Sequence, residues 1–296
     1  MTRWLVIGAN GFLGHNALHA LPGEVHAATR GGRHAIAHGS TIEVDLCNPR
    51  AAAGAIEALQ PQVVLNTAAL ANHEECELHP ELAQQINATA PGVLAGIAHQ
   101  IGARFIHIST DAVFDGRSGN YRETDEPEPF SVYGQTKLAG EHAVLQYASA
   151  LVVRTNFFGW SPGGQRSILE FFVNNLRAGI EVNGYSDFTV TSLYVGYLLS
   201  ALDQLARQGA TGLLHVASRD PLTKLAFGQQ VAHEFGLNAE LIRPASAAIG
   251  AHATSRVLNL SLNCDLAAQT LGEHLPTQAQ GIAQAHRDQP PQPTTQ

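Results

Sequence analysis

The chain has 296 residues, 45% apolar and 14% charged, with a mean hydropathy of −0.03. That composition gives room for one or two packed domains and is unlike that of disordered or fibrous proteins. A formal net charge of −8 without a long basic run argues against nucleic acid as a partner. Cys47, Cys76 and Cys264 are odd in number and far apart, which points to a reducing, cytoplasmic setting rather than a disulfide framework. No apolar run approaches the ~18 residues of a membrane span. Residues 4–21 are too broken by Gly8, Asn10, Gly11, Gly14 and His15 to read as a signal peptide.

From residue 3 to about residue 155, short runs rich in Val, Ile and Leu alternate with longer segments of helical period. The pattern predicts strands at 3–7, 24–29, 41–44, 62–66, 104–108 and 150–154. Helices are predicted at 12–21, 49–59, 80–100 and 131–147, the third with Leu82, Ile86, Val93, Leu94 and Ile97 along one side. This is the signature of an α/β fold, a doubly wound parallel sheet covered on both faces. Beyond residue 155 the pattern is less regular, with helices expected at 165–178, 192–206, 222–236 and 263–272 and strands near 213–216, 239–242 and 257–261. The expected organisation is a dinucleotide-binding domain of residues 1–154 with about 182–216, and a smaller, discontinuous α+β substrate domain of about 155–181 and 217–285. Residues 286–296, rich in Pro and Gln without a large apolar residue, are expected to form an unstructured tail.

The first strand runs into Gly8-Ala9-Asn10-Gly11-Phe12-Leu13-Gly14. Three glycines at this spacing between a strand and a helix have separate tasks: a tight turn, close approach of a pyrophosphate to amides at the helix N-terminus, and close packing of helix on strand. Gly8, Asn10, Gly11, Phe12, Leu13 and Gly14 are therefore candidate cofactor contacts. Where a site for NAD carries an acid after its second strand, this chain has Arg30, with Arg33 as a further candidate. A guanidinium neutralises a 2′-phosphate, so NADPH is expected over NADH, with NADH as the lesser alternative. Asp45 and Leu46 after the third strand are candidates for the adenine end, and Thr67, Ala68 and Ala69 after the fourth offer small residues beside a cofactor.

Tyr133 and Lys137 stand four residues apart, hence on one face of a helix. A hydride delivered to a carbonyl leaves an oxyanion that needs a proton, and a phenol with pKa ~10 serves better if a cation favours its anion. Lys137 is expected to be that cation and to hold a nicotinamide ribose. Ser109-Thr110-Asp111 follows the fifth strand at the edge where open α/β sheets bind ligands, and a hydroxyl there can hold the carbonyl oxygen. Thr110 is the preferred candidate and Ser109 its rival. His73-Glu74-Glu75-Cys76 and His79 do not have the spacing of a closed zinc site, so no metal is expected.

With Gly8, Gly11, Gly14, Asp45, Thr110, Tyr133 and Lys137 in this order, the chain resembles the extended short-chain dehydrogenases/reductases, whose cofactor domain is of the Rossmann type. The run from Ser109 to Gly116, then Tyr121, Glu123, Pro127, the run from Tyr133 to Glu141, and Val153-Arg154-Thr155 are similar to the dTDP-4-dehydrorhamnose reductase group. The resemblance implies reduction of the C4 keto group of a nucleotide-linked deoxysugar, with Thr110, Tyr133 and Lys137 catalytic. Asp111, Ala112, Asn156 and Arg256 are then candidates for the sugar nucleotide. Dimers are common among such proteins, so a homodimer is a candidate assembly.

One position departs from that pattern: Ala112 stands where the group usually has Tyr, which implies an altered sugar pocket. Sugar-nucleotide dehydratases need an Asp-Glu pair here, and epimerases typically carry an acid where this chain has Arg30. An epimerase and a non-catalytic regulatory subunit, resembling the β subunit of methionine adenosyltransferase, are the competing expectations.

Overall fold

The alternating apolar runs of the first half fold, in the computed structural model, into one parallel sheet; residues 1–31, 39–247 and 258–290 are described. Arg33 and Arg256 lie outside the described residues. The first strands are β1 (Arg3–Ile7), β2 (Glu24–Thr29), β3 (Thr41–Glu43), β4 (Val63–Asn66), β5 (Arg104–Thr110) and β6 (Ala150–Thr155). Then come β7 (Phe157–Phe158), β8 (Val182–Tyr185), β9 (Phe188–Val190), β10 (Leu193–Tyr194), β11 (Gly212–His215), β12 (Leu222–Thr223), β13 (Ile242–Ala245) and β14 (Leu258–Asn259). The helices are α1 (Phe12–Ala20), α2 (Ala53–Leu59), α3 (His73–Leu78), α4 (Pro80–Gln84), α5 (Ala90–Gln100), α6 (Val132–Leu145), α7 (Ile168–Arg177), α8 (Val195–Gln208), α9 (Lys224–Glu234), α10 (Asp265–Leu271) and α11 (Gln278–Arg287).

The sheet order is β11-β6-β5-β4-β1-β2-β3, so the chain reverses direction between β1 and β4, and ligands of such sheets sit at that switch point. Side chains alternate across it. Leu5, Ile7, Val64, Phe105 and Val152 pack on one face beneath α2 and α5. Val6, Leu65, Ile106, Ile108 and Val153 pack on the other with Leu198 and Leu202 of α8. The doubly wound architecture expected from the sequence is thus the one observed.

The predicted strands of this half lie within two residues of those observed. The segment expected as one helix over 80–100 contains a π-helical turn, Gln85–Thr89, between α4 and α5. Within it Asn87 accepts the Leu70 N–H and donates to the Leu70 carbonyl and to Thr136 Oγ1 of α6. A Cβ on Gly140 would lie 2.1 Å from the Asn87 carbonyl oxygen, so glycine lets α6 approach this turn.

The second half departs further. There β8 pairs with β13 and β9 with β12 and β14, outside the large sheet. The helix α8 packs on the large sheet and β11 joins it by pairing with β6. The tail expected from residue 286 also needs correction: α11 runs to Arg287 behind a Thr277/Gln280 capping box, and Tyr194 donates to Asp288 at 2.7 Å. Residues 291–296 lie outside the described residues. Among the described residues no helix is long and apolar enough to cross a membrane.

Gly140→Ala is expected to lower unfolding stability by about 1–3 kcal/mol through this backbone clash, measured by chemical denaturation; an unchanged midpoint would contradict the packing.

Candidate active site

The glycine turn closes at the carboxyl end of β1. Gly8 adopts φ +84° and its carbonyl accepts the Gly11 N–H at 2.8 Å. A Cβ on Gly14 would lie 2.2 Å from the Gly8 oxygen. The N-terminus of α1, at Gly11, has no side-chain cap, which leaves amide donors of its first turn for an anion. Beside it lies a cavity of about 410 Å³, lined by Gly8, Asn10, Gly11, Arg30, Asp45, Leu46, Thr67, Ala68 and Ala69 among others. These residues, an amide-rich turn with an exposed Arg30 at its far side, fit a dinucleotide.

Phe12, Leu13 and Gly14, also expected as contacts, are not among the side chains lining the cavity. Leu13 is in the core, Gly14 packs on the turn, and Phe12 meets the Phe157 ring at 5.3 Å. Thr67 spends its hydroxyl on the Ile7 carbonyl at 2.8 Å. Asp45 Oδ1 accepts the Cys47 N–H at 2.9 Å, which shapes the loop after β3.

The proton chemistry gathers where β5 meets α6. Ser131 caps α6, accepting the Gly134 N–H at 3.1 Å, and Tyr133 lies in the first turn. Thr110 Oγ1 accepts the Ala112 N–H and donates to Asp111 Oδ1, both at 3.1 Å, and Thr110 acts on the Tyr133 phenol in the sense that favours its ionised form. Its rival Ser109 points elsewhere, donating to Glu141 in the buried interior. Ser109 is spent on Glu141, so Thr110, not Ser109, is the hydroxyl that acts on Tyr133.

Lys137 does not behave as the spacing led one to expect. Its Nζ donates to the Ile108 carbonyl at 2.7 Å and lies 3.2 Å from His107 Nε2. Burial pulls its pKa down to about 8, against the pull of Glu141. The Tyr133 phenol is pushed up to about 12, by burial first, with Asp111 and Cys76 in the same direction and Thr110 acting to lower it. The expected lowering of the phenol by Lys137 is therefore corrected: one helical turn brings the two residues to the same face, but the ammonium is engaged by β5.

Asp111 and Asn156 come together as a pair. Asn156 Nδ2 donates to Asp111 Oδ2 at 2.8 Å and its Oδ1 accepts from Ser192 at 2.9 Å. Ala112 is buried in the turn that follows Thr110. Two residues that the sequence did not single out for this chemistry also face the site. The His73 ring lies against Tyr133, tilted by 43° with centroids 4.6 Å apart. Lys224, at the start of α9, lies 3.9 Å over the Phe188 ring and acts electrostatically on Asp111 and His73. Both contacts join distant segments, and no local spacing signals them. Among the described residues no group of His, Cys, Asp and Glu is placed to hold a metal ion.

The family described as RmlD substrate binding domain matches residues 2–289. A dTDP-4-dehydrorhamnose reductase of Mycobacterium tuberculosis is 36% identical over 255 residues, 83% of this chain and 80% of its own length. Methionine adenosyltransferase 2 subunit beta of Bos taurus is 31% identical over 281 residues, 91% of this chain and 82% of its own length. Among solved structures, a hypothetical dTDP-4-dehydrorhamnose reductase from Sulfolobus tokodaii superposes with a TM-score of 0.82 at 27% identity, covering 95% of this chain and 99% of that one.

Burial raises the Asp111 pKa to about 6, while its bonds to Asn156 and Thr110 and the nearby Lys224 act the other way. The folded chain thus holds this proton more tightly than the unfolded chain. The resulting stabilisation is full below the ordinary value of 3.8 and is lost as pH rises through about 6. Asp111→Asn keeps an oxygen facing Asn156 and is expected to gain on the order of 2–3 kcal/mol at pH ~8 with little change at pH ~3.5. Denaturation at the two pH values measures this, and no gain at the higher pH would contradict it.

Proposed function

Because the chain belongs to the RmlD substrate-binding domain family, matched over residues 2–289, we propose that it is an NAD(P)-dependent oxidoreductase that reduces the C4 keto group of a nucleotide-linked deoxysugar. The observation that carries this reading is the gathering of Thr110, Tyr133 and Lys137 where β5 meets α6, beside a glycine-lined cavity at the switch point of the sheet. Gly8, Asn10, Gly11, Arg30, Asp45 and the 67–69 segment are the residues that would hold the cofactor. When bound, a reduced nicotinamide supplies the hydride.

The chain's own residues then handle the oxygen. Thr110 holds the sugar carbonyl oxygen as it gains charge, and Tyr133 gives it a proton. A phenol with pKa about 12 keeps its proton throughout the neutral range, which suits a donor in the reducing direction. Lys137, on the same face of α6, is the residue that would hold the nicotinamide ribose. Asp111 and Asn156, already paired, present polar groups to the sugar, and Ala112 leaves its pocket without an aromatic wall. Arg30 is exposed and lines the cavity, so NADPH is the preferred coenzyme.

The 31% identity with methionine adenosyltransferase 2 subunit beta, over 91% of this chain, supports a second reading, in which the cofactor fold serves a partner enzyme without turnover. Substrate-dependent NADPH oxidation by the isolated chain separates the two. Tyr133→Phe is expected to lower turnover by at least ~100-fold while coenzyme binding, followed by fluorescence titration, stays nearly intact. Undiminished turnover would remove Tyr133 from the reaction. Arg30→Asp is expected to reverse the coenzyme preference in the same titration, and a retained preference for NADPH would reject the role of Arg30.

A further inference from the structure

Lys224 stands where local electrostatics alone would not put a cation. It opens α9 behind the Thr223 cap, in a first turn without an acidic residue, and the amides of a helix N-terminus disfavour positive charge. The side chain is half-buried, and its ammonium forms no hydrogen bond or ion pair with any described residue. What holds it is the Phe188 ring, whose centroid is 3.9 Å from Nζ, a contact that attracts a cation without using its three N–H donors. The pairing of β12 with β9, Thr223 opposite Thr189, sets the two side chains together.

The segment beneath Lys224 leads to the reacting groups. From Phe188 it runs through β9 to Ser192, which donates to Asn156 Oδ1 at 2.9 Å, and Asn156 donates to Asp111 Oδ2 at 2.8 Å. Asp111 Oδ1 accepts from Thr110. Each carboxylate oxygen thus takes one hydrogen bond and keeps a lone pair for another. Lys224 acts through space on Asp111 and on His73, the ring that lies against Tyr133. Its ammonium therefore belongs to the group of side chains around Thr110 and Tyr133, beside a carboxylate with which it is not paired. Burial lowers the Lys224 pKa, and Asp111 opposes that shift. An ammonium offers only donors and a carboxylate only acceptors, whereas a hydroxyl is both. One hydroxyl can accept from Lys224 and donate to Asp111.

We propose that Lys224 is a substrate-binding residue: with Asp111 it holds the hydroxyl on the sugar carbon next to the ketone, and so selects for an α-hydroxy ketone. This rests on the reading of the site as one for a nucleotide-linked 4-keto sugar, with the ketone oxygen on Thr110. In a 4-keto pyranose C5 carries the ring oxygen, so the neighbouring carbon with a hydroxyl is C3. Thr110 and Asp111 are adjacent in the chain, as the ketone oxygen and the C3 hydroxyl are adjacent on the ring. A cation at a helix start, held on a ring and left with its donors unused, gains its hydrogen bonds only when substrate arrives.

The test is calorimetric titration of the full chain, saturated with NADPH, with dTDP-rhamnose and with its 3-deoxy analogue. Neither ligand has a ketone, so binding is read without turnover. The wild type is expected to bind dTDP-rhamnose about 100-fold more tightly than the analogue, because loss of the hydroxyl leaves both Lys224 and Asp111 without their partner. Lys224→Met keeps a stem on the Phe188 ring and removes the charge and the donors. It is expected to cut that preference at least about 10-fold by weakening dTDP-rhamnose, with the affinity for the analogue changed by less than about 3-fold. Thermal unfolding separates this from a structural role, since removing a cation from a helix start leaves Tm unchanged or raises it. A variant that retains the wild-type preference, or that loses affinity for both ligands alike, overturns the proposal and leaves the reading of the site standing. A wild type that binds the two ligands equally overturns it too, and decides even if the variant does not fold. A wild type that binds neither rejects the reading of the site together with the proposal.

Discussion

The ion pair between Glu141 on α6 and Arg154 on β6 sets where the site stands. Arg154 Nε and one terminal nitrogen reach the two Glu141 oxygens at 3.0 and 2.7 Å, with the side chains 3% and 1% exposed. Ser109 donates a further hydrogen bond to Glu141, and the Phe114 ring lies 4.9 Å from the guanidinium. Charges so far from water are tolerable only when fully partnered, and removing one partner of such a pair costs about 3–5 kcal/mol. The pair ties α6 to two strands at once. Tyr133, Lys137 and Glu141 are spaced four residues apart on α6, so fixing Glu141 fixes where the other two meet the sheet.

From that constraint follows the division of labour along β5. His107 and Ser109 share the face turned to α6 and serve Lys137 and Glu141. Thr110, at the end of the strand, donates to Asp111 and acts on the phenol of Tyr133. Two adjacent hydroxyls thus do different work, one holding the scaffold and one facing the chemistry. The same strand end borders the loop containing Ala68, whose amide starts a line of bonds through Asn66 and His107 to Lys137. The loop after β4 and the buried face of α6 are consequently tied to one edge of the sheet.

Features with a local cause were legible in the sequence. Strands β1 to β6 are short apolar runs bounded by turn residues. The Gly8–Gly14 turn follows from its position after the first strand, and the shared face of Tyr133 and Lys137 from helical spacing. What spacing cannot give is direction: that Lys137 points at Ile108 and His107 depends on where β5 lies beneath α6. The His73 ring on Tyr133 and Lys224 beside Asp111 bring together segments far apart in sequence. Strands of two to four residues such as β7, β8 and β12 are too short to show alternation. The end of α11 was hidden by a polar composition that a capping box and Ile282 and Ala285, both in the core, overcome.

The most direct measurement of the central claim, that Thr110 and Tyr133 quench the charge created by hydride arrival at a sugar ketone, is isotope transfer within one turnover. The isolated chain would be mixed with NADPH deuterated at nicotinamide C4 and a nucleotide-linked 4-keto sugar, and the product examined by mass spectrometry and proton NMR. Deuterium on sugar C4, with a solvent-derived proton on the adjoining oxygen, is the expected result. A chain that binds the coenzyme yet leaves the sugar unlabelled for every 4-keto sugar nucleotide offered would contradict it.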